Sequence, residues 1–157
     1  MSNKQEDVNI ILRLYELRRE ETMRKARDWF MTDFNPESTQ DLLAVMVSGE
    51  SAAYRMVSSY WDMACAFVNH GAVDEQLFND IHFEHIAVYA KLQPFLPEFR
   101  ALTHAPYYLT HIEQLVGRMP DAEERLVTMR RFMKRRLEAK TRAAAAESSP
   151  AEPDPPS

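Results

Sequence analysis

The sequence predicts an all-α protein: a bundle of five to seven helices around a central antiparallel hairpin, about 51–69 and 74–93. Three observations lead there. Only three glycines occur in 157 residues, and strand-like alternation is absent. Apolar residues recur at helical spacing through most of the chain. A tight reversal, Asn69-His70-Gly71-Ala72-Val73-Asp74, separates two long apolar-periodic arms. Length favours one domain, assigned to 1–144. A Pro/Ala/Ser-rich acidic tail, 145–157, has too little apolar content to bury a core and is expected to be disordered.

The first helix is expected over about Lys4 to Met31. Val8, Ile11, Leu12, Tyr15, Met23, Ala26 and Phe30 follow a near-heptad line. Arg19 and Thr22 interrupt it, which argues against a strict coiled coil. Leu14, Leu17 and Trp29 broaden the apolar surface. Asn35-Pro36 breaks the chain. Ser38 and Asp41 have the spacing of a capping box for a short second helix ending near Ser48-Gly49. That helix either stops there or merges into the next with a kink at Gly49.

The first hairpin arm, about Ser51 to Asn69, carries Met56, Val57, Tyr60, Ala64, Phe67 and Val68 on one face, with Trp61 at its flank. Ser58 and Asp62 belong to the opposite polar stripe. Gly71 suits a left-handed helix end. Asp74 suits a following N-cap. The second arm, about Asp74 to Gln93, reads as one helix. One face bears Phe78, Ile81, His85, Val88, Tyr89 and Leu92, and the other Phe83, Ile86 and Ala90. Pro97 demands a bend, then a short helix through Leu102. Pro106 is placed to open another helix, closed by Gly117 and Pro120. The last helix spans about Asp121 to Ala144, with a narrow stripe of Leu126, Met129, Met133 and Leu137.

Net charge is −5, unevenly spread. Asp28 to Glu113 holds twelve acids against three bases, a net of −9; Pro120 to Arg142 holds eight bases against four acids, a net of +4. One cysteine, Cys65, makes no disulfide framework and suits a reducing compartment. The opening residues do not read as a signal peptide. No run is long enough to span a bilayer. A cytoplasmic location is expected.

The motifs Tyr60-Trp61-Asp62-Met63-Ala64, His70-Gly71-Ala72-Val73-Asp74, Phe95-Leu96-Pro97-Glu98-Phe99-Arg100, Tyr107-Tyr108-Leu109 and Ile112-Glu113-Gln114-Leu115 stand in that order. Over about Ser51–Arg118 the chain resembles a bacterial family of short helical proteins known only as a domain of unknown function. The resemblance implies an all-helical fold and no activity, cofactor or catalytic residue. Some relatives carry an apolar N-terminal helix suited to membrane anchoring. Here that helix is charged.

Four groups of residues could carry chemistry. His82 and His85 lie three apart, a spacing that can hold zinc when further ligands arrive from a second helix; the alternative is a semi-buried core histidine, His85, with His82 at the core edge. No complete ligand set is apparent, and no metal or other cofactor is expected. Cys65 lacks an identifiable base and reads as a small buried hydrophobe. Arg100 could clamp a carboxylate, internal or on a ligand. Arg125, Arg130, Arg131, Lys134, Arg135, Arg136, Lys140 and Arg142 make the last helix basic, facing solvent, a protein partner, nucleic acid or an anionic membrane.

The sequence therefore points to a non-catalytic helical interaction or scaffold protein. Excess apolar surface on the second arm and first helix predicts a homo-oligomer, with Phe83 and Trp29 as candidate contacts. Binding of nucleic acid or an anionic membrane surface through the basic last helix is the alternative. A metal-dependent enzyme using His82 and His85 is third.

Overall fold

The computed structural model describes residues 3–149. Among these are nine α-helices, one 3-10 turn and no strands. The elements are α1 (Lys4–Arg19), α2 (Glu21–Thr32), α3 (Thr39–Met46), α4 (Ser51–Asn69), α5 (Glu75–Ile81), α6 (Glu84–Leu92), the 3-10 turn (Gln93–Phe95), α7 (Leu96–Thr103), α8 (Thr110–Gly117) and α9 (Ala122–Glu147).

α4 is the axis of the bundle. Tyr54, Val57, Tyr60, Trp61, Ala64, Cys65 and Val68 recur every three or four residues and are all buried. α2 and α8 pack along it. Trp61, expected at the flank, has no exposed surface, and Ser58, expected on the polar stripe, is buried. The Ser58 hydroxyl donates to the Tyr54 carbonyl (2.9 Å), so its burial leaves no orphan donor. α4 ends as expected. Gly71 takes φ 75°, and Ala72 N–H donates back to Phe67 O (2.8 Å), closing a Schellman-type cap. Asp74 Oδ1 then accepts from Leu77 N (2.8 Å) to open α5.

Two expected long helices are broken. The first stops at Arg19. Glu20 is extended (ψ 139°), and its carboxylate accepts from Thr22 N and Met23 N (3.1 and 2.9 Å) to cap α2. The break separates two apolar faces. α2 buries Met23, Ala26 and Phe30, as the heptad line predicts. α1 instead buries Asp7, Ile11 and Leu14 and leaves Val8, Leu12 and Tyr15 outward. The second hairpin arm is likewise two helices. His82 is extended (ψ 139°), between α5 and α6. The turn brings both His82 and His85 inward and throws Phe83 out, 70% exposed. Phe83 is thus not part of a second buried face, and Ile81 is half exposed, whereas Ile86 and Ala90 are buried.

The Ser38–Asp41 capping box is present in both directions (3.3 and 3.0 Å). α3 stops before a turn at 47–50 and does not merge into α4. Pro97 sits in the first turn of α7, after the 3-10 bend. Pro106 does not open α8, which starts at Thr110 behind Leu109 in the left-handed region (φ 53°). Asp62 Oδ1 accepts from Ile112 N (2.9 Å), capping α8 from α4. α9 runs three residues beyond Ala144; the rest of the tail expected to be disordered, 150–157, lies outside the described residues.

Lys91 locks α2 to α6 from inside. It is buried, and its ammonium donates to the carbonyls of Phe30 (2.7 Å), Met31 (3.2 Å) and Phe34 (2.6 Å) and to Asn35 Oδ1 (3.3 Å). A cation thereby satisfies the C-terminal carbonyls of α2, where the helix dipole favours it. Burial pushes the Lys91 pKa down to about 8, with Asp33 opposing. Lys91→Met keeps the stem and removes every donor. We expect it to cost about 2–4 kcal/mol, a fall in Tm of roughly 5–15 °C, read by thermal unfolding at neutral pH.

Candidate interaction surfaces

α9 lies against α6, pressing Leu126 into the core and half-burying Met129 and Met133. That packing sorts its bases. Arg130 is held, donating to Ala90 O (3.2 Å) and Gln93 Oε1 (3.0 Å). Arg125 donates to Pro120 O (2.8 Å). Lys140 approaches Asp33 (3.8 Å). The side chains of Arg131, Lys134, Arg135, Arg136 and Arg142 pair with nothing among the described residues.

One of these free bases, Arg136, lines an apolar ridge. Phe132 (57% exposed) stands out from α9 beside Phe83 of the α5–α6 break. Two open hollows, of about 540 and 580 Å³, lie to either side and share Phe83, Met129 and Phe132. Sequence reading missed this pairing, because it placed Phe83 in a continuous helix. Phe132 did carry a signal: it falls off the Leu126–Met129–Met133–Leu137 stripe. A second apolar surface is the Val8–Leu12–Tyr15 stripe of α1, with Leu12 54% exposed. Its charges are mixed: Arg13 pairs with Glu16 (3.2 Å), and Arg19 lies over the Tyr15 ring (5.5 Å). Trp29, by contrast, is stacked on Phe34 (5.2 Å) and is no free anchor.

The described helices enclose the order of motifs that the sequence resemblance rests on. A family described as Domain of unknown function (DUF4760) matches residues 5–119. The chain belongs to the DUF4760 family. No curated protein and no solved structure matches it. The match takes in α1 to α8 and stops before α9, so the basic helix is an addition to the DUF4760 region of this chain.

Within that DUF4760 region the other candidates resolve into internal partners. Arg100 is a body clamp: its Nη1 donates to both Glu113 oxygens (3.2 and 3.1 Å) and its Nε to Tyr108 O (2.9 Å). His82 and His85 are buried against Trp61 and Phe78. Burial pushes the His85 pKa down to about 3; burial and then Arg18 lower that of His82. Both rings therefore stay neutral at pH 7.

The carboxylates that could complete a metal site near the two histidines are engaged elsewhere. Glu84 receives Arg27 Nε and Nη2 (2.8 and 2.6 Å) and Trp61 Nε1 (3.0 Å). Burial works against its charge, yet those donors hold its carboxyl below the usual range. Glu113 is taken by Arg100, and His111 lies against His70 (5.7 Å between rings). Among the described residues no three of His, Cys, Asp and Glu come together as a ligand set. Cys65 is fully buried, and burial pushes its thiol up, the opposite of an activated nucleophile. No described helix is long and apolar enough to cross a membrane.

Proposed function

We propose that this DUF4760 protein is a non-catalytic helical interaction protein that self-associates through α1, in the reducing cytoplasm that the lone buried Cys65 suits. The observation that carries the reading is the outward Val8–Leu12–Tyr15 stripe on a helix of sixteen residues. Large apolar residues aligned on one helix face mark interfaces. Charge decides which face meets a second copy. The Phe83–Phe132 ridge lies along the helix whose 131–142 stretch carries six bases against one acid, so two such stretches laid together repel each other. The α1 stripe carries both signs of charge and does not. A twofold pairing of α1 with α1 is the simplest closed arrangement. Burying Val8, Leu12 and Tyr15 is worth roughly 1.5–3 kcal/mol each, against the cost of association.

Light scattering on eluting protein tests this. The wild type should run at about twice its 18.3 kDa chain mass at micromolar concentration. Leu12→Glu should return it to the single-chain mass with unchanged helicity. A single-chain mass for the wild type at every accessible concentration refutes self-association, and a dimeric Leu12→Glu moves it off α1.

A further inference from the structure

We infer that the exposed face of α9, together with Phe83, is a docking site for an anionic lipid membrane surface. Three observations meet there. First, between Arg131 and Arg142 six bases stand against one acid, Glu138, and five of the six are without an ionic partner among the described residues. A cluster of four to eight bases on one helix matches the negative potential of anionic lipid, worth about 1 kcal/mol per base at the surface. Second, Phe132 and Phe83 project from the same face, 57% and 70% exposed. Neither ring has a polar atom, so both gain on entering the boundary between headgroups and acyl chains. Third, α9 has 26 residues, about 39 Å, and everything past Leu137 is exposed. Its basic half is therefore open along its length.

The makeup of the ridge favours lipid over nucleic acid. The rings are bordered by Ile86, Met129 and Leu137, aliphatic side chains that cover the ground where bases would stack. Thr128 is the one neutral hydrogen-bonding side chain lining the two hollows near the rings, apart from Thr32 at the α2 edge. Acyl chains need no hydrogen-bonding partner. The acids Asp121 and Glu124 line the hollow on the N-terminal side of the rings, and Asp28 and Glu84 line the other hollow, so the C-terminal half of α9, with one acid between Arg131 and Arg142, leads the contact. The body's net −9 keeps the remainder of the molecule off the surface.

The test uses the full chain and sedimentation with vesicles, either of phosphatidylcholine alone or with phosphatidylglycerol added. Binding to the phosphatidylglycerol vesicles alone, released by salt, is expected. Arg131→Gln with Arg135→Gln should lower the partition coefficient about 25-fold, roughly fivefold per charge. Phe83→Ser with Phe132→Ser should weaken binding at unchanged salt dependence. These side chains are exposed, so unchanged melting curves are expected, and the salt titration of the wild type needs no variant. Three outcomes overturn the inference: no binding to phosphatidylglycerol vesicles, equal binding to phosphatidylcholine, or full binding by the double arginine variant. Retention on duplex DNA without vesicle binding would assign the face to nucleic acid instead.

Discussion

Trp61→Ala should leave little folded protein at 37 °C. The indole is the largest fully buried side chain, at the middle of the central helix α4. It packs edge-on to Tyr60 (5.0 Å), lies against both histidine rings (5.6 and 5.8 Å), and carries the Arg18 guanidinium over its face (5.5 Å). Truncating a buried tryptophan to alanine costs about 3–5 kcal/mol through lost transfer and the cavity left behind. The Nε1 donor to Glu84 is lost as well, for a charge-assisted bond worth about 1.5–3 kcal/mol. Together these approach the roughly 5–15 kcal/mol that holds a domain folded. Trp61→Phe fills most of the cavity and loses mainly the hydrogen bond, so it should fold with reduced stability. Denaturant unfolding of both variants checks the ordering. Equal stability of Trp61→Phe and Trp61→Ala would show that the Glu84 bond, and not the packing, is what matters there.

Acid should destabilise the fold well before the carboxylates protonate. His85 in the folded state has its pKa pushed down to about 3 from the ordinary 6.5. Above pH 6.5 it is neutral in both states and contributes nothing. Below pH 6.5 the unfolded chain takes up a proton that the folded chain refuses, so stability falls as pH falls. The loss is about 1.4 kcal/mol per pH unit, reaching roughly 2 kcal/mol by pH 5 and 4–5 kcal/mol near pH 3. His82 is lowered also and adds in the same direction. Glu84, held below its usual range, contributes stability above its unfolded pKa that is lost only at lower pH. The window between pH 6.5 and 4.5 therefore reports the histidines. His85→Leu should flatten the slope there, measured as denaturant unfolding free energy against pH. An unchanged slope in that variant would place the acid-sensitive group elsewhere.

What was legible in the sequence follows from how local each cause is. Gly71 and Asp74 define a turn with their own backbone and side chain. Ser38 and Asp41 cap α3 across three residues. Pro97 forces a bend by its ring. All three were readable, and with them the helical class and the central hairpin. The breaks at Glu20 and His82 were not. Neither has a proline or glycine at the break. Glu20 ends one helix by capping the next, and His82 turns because Trp61, more than twenty residues away in sequence, offers its ring a buried place.

The same distinction governs the surfaces. The basic helix was legible as a charge run, and Arg100 as a clamp. The identity of its carboxylate, Glu113, needed the α7–α8 fold. Phe83 fits a buried face only on a continuous helix, and the extended His82 turns it out. Val8, Leu12 and Tyr15 fit a seam only on a continuous rod, and the break at Glu20 turns them outward. Nothing beside it in the sequence marks Lys91 as a clamp. The acceptors around it come from the end of α2 and the loop beyond, about sixty residues upstream.

The central claim is that α1, not α9, meets a second copy. Amide hydrogen exchange at dilute and at concentrated protein tests it most directly. The account predicts that exchange slows with concentration at the amides of α1 around Val8, Leu12 and Tyr15, while α9 is unaffected. Protection that rises with concentration along α9, or on no helix at all, would contradict it.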